Sequence, residues 1–421
     1  MARELHRTID AVWRMESARI IAALARMLRD VGLAEELAQD ALVAALEHWP
    51  RDGVPDNPGA WLMTTAKHRA LDRLRQQALH RRKQEELGAD ADARGDHVVQ
   101  DFSETLDDRD DIGDDLLRLV FTACHPVLTQ DAQVALTLRL LGGLSTSEIA
   151  RAFLVPEPTI AQRIVRAKRS LSAAKVPFEV PRGEQRQDRL ASVLEVVYLI
   201  FNEGYSATAG DDLMRPALCD EALRLGRILA QLAPDEAEVH GLVALMEIQG
   251  SRTPARVDAQ GRPILLLEQD RSRWDRLLIV RGLAALERAA ALQSQPGPYQ
   301  LQGAMAACHA RATAADETDW AQIVSLYDAL ARCLPTPVVE LNRAVAISMA
   351  RGPAAALPLV EALMAQKQLA RYHLLEAVYA ELLFKLDRRT EARQAFERAA
   401  TLTGNERERE LLLGRARASA A

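Results

Sequence analysis

Apolar residues recur every three to four positions along most of the chain, which is the spacing of helices with one buried face. Two such sets follow each other near the N-terminus: Ile20, Leu24, Met27 and Leu28, then Leu33, Leu37, Ala41 and Ala44. Aromatic residues make up only 4% of the chain, whereas strands favour aromatic and β-branched side chains. The pattern therefore predicts an all-α protein.

Stretches rich in proline, glycine and aspartate divide this helical pattern. Residues 49–59 contain three prolines and two glycines, which predicts a loop. Residues 88–113 are poor in large apolar groups and rich in aspartate, so we predict a flexible linker there. Pro177, Pro181 and Gly183 mark a further boundary. We predict helical domains at 1–83 and 114–176, an acidic linker at 84–113, and a helical extension at 187–421.

The extension contains a degenerate repeat. Ala392, Phe396 and Ala399 have the same spacing as a set 37 residues earlier, namely Ala355, Leu359 and Ala362, and Tyr327, Leu330 and Pro335 lie at comparable offsets upstream. An alanine and a closing proline also lie twelve residues apart, at Ala222 and Pro234. Small residues allow paired helices to approach closely, so we predict a tetratricopeptide-like array. Any alanine-rich and leucine-rich array of helical hairpins would produce part of this pattern.

Charge is distributed unevenly around a formal net charge of −6. Residues 67–83 carry seven cations against one acid, and residues 85–115 carry thirteen acids against two arginines. Residues 116–175 are again basic. Two basic modules joined by an acidic segment suggest nucleic-acid binding, although solvated helix faces would give a similar distribution.

The sequence gives no indication of catalytic or metal-binding chemistry. Four cysteines lack paired spacing, and we interpret Cys124 and Cys308 as core residues although each precedes a histidine. Asp211 and Asp212 near Glu203 are better explained by loop capping than by a cation site. Signal-peptide and membrane-span patterns are also missing. We therefore expect a cytoplasmic protein that is not an enzyme, needs no cofactor or metal and does not bind membranes.

The sharpest local pattern is a helix-turn-helix at residues 142–171. Ser145 followed by Glu148 is a capping box that begins a short helix, and this helix must end before Pro156. A second helix opens with Pro158, which is tolerated in a first helical turn.

The second helix of this motif has two distinct faces. Its apolar residues are Ile160, Ile164, Ala167 and Leu171, and its polar face carries Gln162, Arg163, Arg166 and Arg169. Arginine and glutamine can donate hydrogen bonds to base edges in the DNA major groove. An amphipathic surface helix with solubilising cations is the simpler alternative.

With these residues in view, the segment 143–171 resembles region 4 of the extracytoplasmic-function sigma factors. It departs from that pattern at Pro158, where the family usually has glycine, and at Lys168, where the family usually has arginine. The resemblance implies contacts with the −35 promoter element from Thr159, Gln162, Arg163, Arg166, Lys168 and Arg169.

The N-terminal segment resembles region 2 of the same family. Residues 34–46 look like the helix that docks on the polymerase clamp helices, which implies core contacts from Glu36, Leu37, Gln39 and Asp40. Residues 57–75 look like the −10 element helix and its leading loop, which implies contacts with the melted strand from Asp56, Asn57, Trp61, Lys67, Arg69, Arg73 and Arg75. A stacking surface beside cations suits a flipped base and its backbone. Trp61 could equally be a core residue, and Gln39 and Asp40 could belong to a solvated face.

The extension resembles that of one sigma-factor subgroup, in segments 201–205, 270–275 and 297–302. That subgroup uses its fused helical domain where relatives use a separate anti-sigma factor. The resemblance implies a sigma factor whose partners are the RNA polymerase core, through its clamp helices and flap, double-stranded promoter DNA and the melted −10 strand. We further expect the extension to contact regions 2 and 4 and modulate activity. The alternative is a helical-repeat scaffold that binds DNA without polymerase.

Overall fold

The computed structural model describes residues 2–88, 112–153, 155–293 and 295–419. The described chain is almost entirely helical, which confirms the predicted all-α fold. It divides into two compact units, residues 1–196 and 197–421. Most of the predicted acidic linker, at 89–111, lies outside the described residues.

Three helices form the N-terminal module: α1 (Ala2–Leu28), α2 (Val31–Asp52) and α3 (Pro58–Gly88). Each of the three packs against the other two. Ile20, Leu24, Leu37 and Ala41 are buried between them, as the apolar spacing predicted. Asp30 caps α2 by accepting a hydrogen bond of 3.0 Å from the backbone N–H of Leu33.

The predicted loop at residues 49–59 is wrong at both ends, since residues 58–59 already belong to α3. Residues 49–52 belong to α2, which contains Pro50 and ends only at Gly53. Gly53 has φ +85°, a left-handed conformation that glycine adopts without steric cost. Burial of Trp49 in the core of the module outweighs the turn propensity of its neighbours.

Four helices form the helix-turn-helix module: α4 (Ile112–Ala123), α5 (Gln130–Leu140), α6 (Thr146–Phe153) and α7 (Glu157–Ala173). Helix α7 packs against α5 and α6, and α4 packs against α1 of the N-terminal module. The two modules therefore lie together within the first compact unit. Helix α8 (Glu184–Tyr205) begins in this unit and continues into the second.

The second unit is a succession of helices in which chain neighbours pack on one another. They are α9 (Pro216–Leu232), α10 (Ala237–Gly250), α11 (Arg276–Leu292), α12 (Pro298–Arg311), α13 (Trp320–Cys333), α14 (Pro337–Arg351), α15 (Pro353–Met364), α16 (His373–Lys385), α17 (Arg389–Leu402) and α18 (Glu406–Ala418). Strand β1 (Ala209–Gly210) pairs in parallel with β2 (Gly404–Asn405).

The repeat of this unit has a different register from the predicted one. Ala392, Phe396 and Ala399 of α17 are buried, but Ala355, Leu359 and Ala362 of α15 are exposed. The buried set of α15 is Ala356, Val360 and Leu363, which lies 36 residues before the set of α17. Both sets of α15 have the same spacing and are apolar, so spacing alone could not identify the inner face.

Candidate nucleic-acid interface

The turn that precedes α6 has the capping geometry that the sequence predicted. The backbone N–H of Glu148 donates to Ser145 Oγ at 3.2 Å, and the backbone N–H of Ser145 donates to Glu148 Oε2 at 2.8 Å. Burial alone would raise the pKa of Glu148, but the hydrogen bonds from Ser145 and the charges of Arg14 and Arg151 outweigh it and lower that pKa. The carboxylate is therefore a fixed, ionised element of this turn.

Gly143 has a specific steric role just before this capping box. Its φ is +65°, and a Cβ atom at this position would lie 2.9 Å from the hydroxyl of Ser17 in α1. A larger residue would strain the turn and force the hydroxyl away. The glycine thus allows the helix-turn-helix module to approach α1.

Helix α7 presents the two faces that the sequence predicted. Ile160, Ile164, Ala167 and Leu171 are buried against the module, while Gln162, Arg166 and Arg169 are exposed. Thr159 is half-buried in the first turn. Arg163 lies beside Asp131 of α5, at 2.9 Å between nitrogen and oxygen. The exposed face can donate several hydrogen bonds to phosphates or base edges.

The structure places Lys168, which the resemblance groups with the −35 residues, at the contact with α2. Its side chain is 23% exposed and pairs with the buried carboxylate of Glu35 in α2. Burial lowers the pKa of Lys168, and the charge of Asp30 partly opposes this effect. In this arrangement the ammonium group is committed to a protein partner instead of DNA.

On α2, the four predicted polymerase contacts have different surroundings. Glu36 is exposed and Leu37 is buried, so only the first offers its side chain to a partner. Gln39 donates to Glu35 Oε1. Asp40 lies 3.4 Å from Arg69 of α3, which brings the predicted polymerase-binding and −10 sets side by side.

Trp61 at the start of α3 is half-buried. This exposure is compatible both with a core residue and with a surface on which a base could stack. Its ring meets that of Trp49 edge-on at 5.5 Å between centroids. Asp56 and Asn57 lie in the preceding loop, and Asn57 Oδ1 accepts from the backbone N–H of Ala60 at 3.1 Å. The loop is therefore held in place beside an aromatic surface.

Further along α3, the four predicted cations differ in exposure. Lys67 and Arg69 are half-buried, whereas Arg73 and Arg75 are exposed. Arg75 lies 3.3 Å from Asp72 one turn earlier. Exposed pairs of this kind are weak, so the arginine can exchange its partner for a phosphate.

The comparisons with known proteins agree with both modules. Residues 13–80 match the model of Sigma-70 region 2, residues 118–171 match Sigma-70 region 4, and residues 189–290 match a family of unknown function, DUF6596. An uncharacterized protein of Rhizobium meliloti (strain 1021) is 46% identical over 384 residues, which cover 91% of this chain and 89% of the relative. The ECF RNA polymerase sigma factor SigK of Mycobacterium bovis (strain BCG / Pasteur 1173P2) is 32% identical over 159 residues, which cover 37% of this chain and 78% of SigK.

This chain belongs to the ECF RNA polymerase sigma factors. Region 2 corresponds to α1–α3 and region 4 to α4–α7, and the chain continues in a C-terminal helical extension. Its role is therefore in transcription initiation, and the helix-turn-helix of region 4 is its DNA-binding motif.

Glu35 of the sigma factor is a buried acid that the sequence interpretation missed. Glu35 is 2% exposed and lies at the contact between region 2 and region 4, with its Oε1 atom 2.6 Å from Arg139 Nε. Lys168 is its second cationic partner. Nothing in the sequence distinguishes Glu35 from the exposed Glu36, because the cations that surround it come from positions more than 100 residues away.

The first half of α8 contacts region 4 of the sigma factor. Arg189 donates to the backbone carbonyl of Phe121 at 2.5 Å, and its guanidinium lies 5.7 Å from the Phe121 ring centroid. Gln130 donates to Glu195 at 2.8 Å. The start of the DUF6596 segment therefore packs on the first two helices of region 4.

The cysteines and the acidic residue that the sequence suggested as candidates for catalysis or metal binding are buried or hydrogen-bonded within the protein. Burial raises the pKa of Cys124 to about 12, despite a hydrogen bond with Thr137, and Cys308 is also buried. Glu203 accepts a hydrogen bond from Thr208 and pairs with Arg215. Among the described residues, no cluster of three acidic, histidine or cysteine side chains could hold a metal ion. No described helix is long and apolar enough to cross a membrane.

Proposed function

We propose that this sigma factor binds the RNA polymerase core and directs initiation at specific promoters. In this proposal α2 docks on the clamp helices, the 56–61 loop and α3 hold the melted −10 strand, and α7 reads the −35 element while region 4 contacts the flap. The observation that carries the proposal is the exposed face of α7, with Gln162, Arg166 and Arg169 standing opposite a fully buried apolar face.

The surfaces of region 2 support the same assignment. Glu36 is an exposed acid on α2, and Arg73 and Arg75 are exposed cations on α3. Acid on one helix and cations on its neighbour would allow one module to contact a protein partner and the promoter at once.

We also propose that the extension modulates activity through contact with regions 2 and 4. The packing of Arg189 on Phe121 and of Glu195 on Gln130 supports a mechanical link between α8 and region 4. A cytoplasmic location, where polymerase and promoters are found, is part of the proposal.

The decisive experiment combines copurification with reconstituted transcription. The full-length chain should retain the polymerase core through size-exclusion chromatography and direct run-off transcription from a cognate promoter. Binding to duplex DNA without retention of the core would instead establish a DNA-binding scaffold.

The same assay tests the extension. A chain that ends at Val196, at the boundary between the units, should change the transcript yield while it retains the core. The circular dichroism of this shorter chain must first show the helical content that the helices of residues 1–196 account for in the structure, so that misfolding is excluded. Equal yields from the two chains would refute a modulating role.

A further inference from the structure

A cavity of about 820 Å³ lies at the contact between region 2 and region 4. The end of α1 and the start of α2 form one wall, and α4, the end of α7 and residues 175–179 form the other. Its volume falls within the range of small-molecule sites, which is about 300–1,000 Å³. The cavity is therefore large enough for a ligand that touches both regions.

The lining is predominantly basic, and its cations come from both regions. Five basic side chains face two acids: Arg26, Arg29, Arg118, Lys168 and Lys175 against Asp30 and Glu179. Arg26 and Arg118 share the buried carboxylate of Asp115, at 3.2 and 2.5 Å. Arg118 also lies 3.9 Å from Asp114, so both arginines already have carboxylate partners within the protein.

Of the five lining cations, Arg29 from region 2 and Lys175 from the end of region 4 are the two without an ion pair among the described residues. Both are exposed. Both also have a left-handed backbone, with φ +52° and +49°. Non-glycine residues in this region cost about 1 kcal/mol or more and are concentrated at ligand sites.

The remaining walls also suit a phosphorylated ligand. Val31 and Gly32 in the first turn of α2 line the cavity beside Asp30, whose carboxylate already accepts from the N–H of Leu33 in that turn. The backbone N–H groups of a first helical turn favour anions. Leu171, Val176 and Phe178 add apolar surface to the opposite wall. A ligand with both phosphates and a ring system would use both walls.

The cavity adjoins the ion pairs that join region 2 to region 4. Lys168 lines the cavity and pairs with Glu35 of α2, and Arg26 lines it and pairs with Asp115 of α4. A further pair outside the cavity joins Arg14 to Glu148. An anion held between Arg29 and Lys175 would add a bridge of the same kind between the two regions.

We propose that this cavity binds a small polyphosphorylated molecule, which bridges region 2 and region 4 and holds them in the closed arrangement seen here. The phosphates contact Arg29 and Lys175. The site is independent of polymerase, so its test does not require the proposed transcription function.

The test is calorimetric titration of the full-length chain with inorganic pyrophosphate and, separately, with a nucleoside triphosphate, at fixed ionic strength. The variant Arg29→Asn with Lys175→Asn removes both charges, and asparagine tolerates the left-handed backbone better than most residues. Arg51→Gln is the control, since it removes an exposed charge at the far end of α2. We expect saturable binding, a Kd raised at least tenfold in the double variant and an unchanged Kd in the control.

Hydrogen exchange distinguishes a bridging ligand from a merely bound one. Pyrophosphate should slow exchange in both residues 31–40 and residues 164–171 of the parent chain, and in neither segment of the double variant.

Tighter binding of the nucleotide than of pyrophosphate would identify a ligand whose ring uses the apolar wall, and equal affinities would show that the phosphates alone are recognised. The proposal fails if no saturable binding occurs, if the double variant binds equally well, or if a short DNA duplex displaces pyrophosphate. It fails equally if protection is confined to one region.

Discussion

The basic residues of α7 differ in the ion pairs that each must break within the protein before it can contact DNA. Arg166 is exposed, Arg163 must first leave Asp131, and Lys168 is paired with a buried acid. Sequence spacing predicts which residues share a face, but the partner of each side chain depends on the neighbouring helices.

Arg166→Ala should therefore weaken binding to a cognate −35 duplex by about 1–3 kcal/mol, with a loss of base preference, if the guanidinium contacts a base edge. Fluorescence anisotropy with cognate and scrambled duplexes measures both effects. The control Arg351→Ala removes an exposed cation of α14 and should have no effect. Equal losses on both duplexes would make Arg166 a phosphate contact.

Glu36→Lys should lower the affinity for the polymerase core at least tenfold, which corresponds to about 1.4 kcal/mol, since it places a cation at the centre of the proposed docking face. Asp10→Lys makes the same charge change at an exposed position of α1 and should leave the affinity unchanged. Biolayer interferometry with immobilised core gives both values. Equal affinities for the two variants would remove Glu36 from the interface.

His309 in the second unit makes stability depend on pH. Burial, reinforced by the charges of Arg252 and Arg271, lowers the pKa of His309 to about 4. Because the unfolded chain keeps the ordinary value near 6.5, it binds more protons than the folded chain between these two values. The free energy of unfolding should therefore fall with decreasing pH across this interval, by at most about 1.4 kcal/mol per pH unit.

His309→Phe keeps a ring beside Trp320 and should reduce this pH dependence. Urea unfolding at pH 7 and pH 5 measures it, with His80→Phe, at an exposed position of α3, as the control. The assignment would be wrong if the two variants lost equal stability between these pH values.

Among the elements, α15 shows how far apolar spacing can predict a packed face. Its inner face, Ala356, Val360 and Leu363, and the neighbouring set one residue earlier have the same spacing, and every member of both is apolar. The existence and length of such a helix follow from its composition, but its rotation follows from contact with α14 and α16.

Ala356→Leu should destabilise the second unit by about 1–3 kcal/mol, because Ala356 is fully buried and the added carbons would overpack the core. Ala355→Leu adds the same atoms at an exposed position and should change stability by less than about 0.5 kcal/mol. Thermal unfolding followed by circular dichroism compares the two. A larger loss of stability in Ala355→Leu would show that the predicted spacing of 37 residues identifies the buried face correctly.

At the scale of the whole molecule, contacts between distant segments complete the second unit. Asn405 is fully buried, and its amide donates to the carbonyls of Ala207 and Asp212 at 3.1 and 2.9 Å. Its Oδ1 atom accepts from the backbone N–H of Arg407 and caps α18. One side chain thus joins segments about 200 residues apart in the sequence.

Asn405→Ala should therefore lower the stability of the second unit by about 2–4 kcal/mol, since it removes a helix cap and leaves two carbonyls without their donor. Hydrogen exchange at residues 207–212 should increase at the same time. Asn342→Ala, at an exposed position of α14, is the matched control and should change neither quantity. Unchanged exchange at 207–212 in Asn405→Ala would show that β1 is held by other contacts.

Local patterns in the sequence determined the helical class, the two N-terminal helical modules, the capping box and the buried and exposed faces of α7. Each of these depends on residues within a few turns of one another, so periodicity and capping chemistry suffice to predict them. The tertiary structure alone decided the rotation of α15, the pairing of Glu35 with Arg139 and Lys168, and the cavity between regions 2 and 4. These features depend on side chains that are far apart in the chain, and a buried charge acquires its partners only when the modules pack.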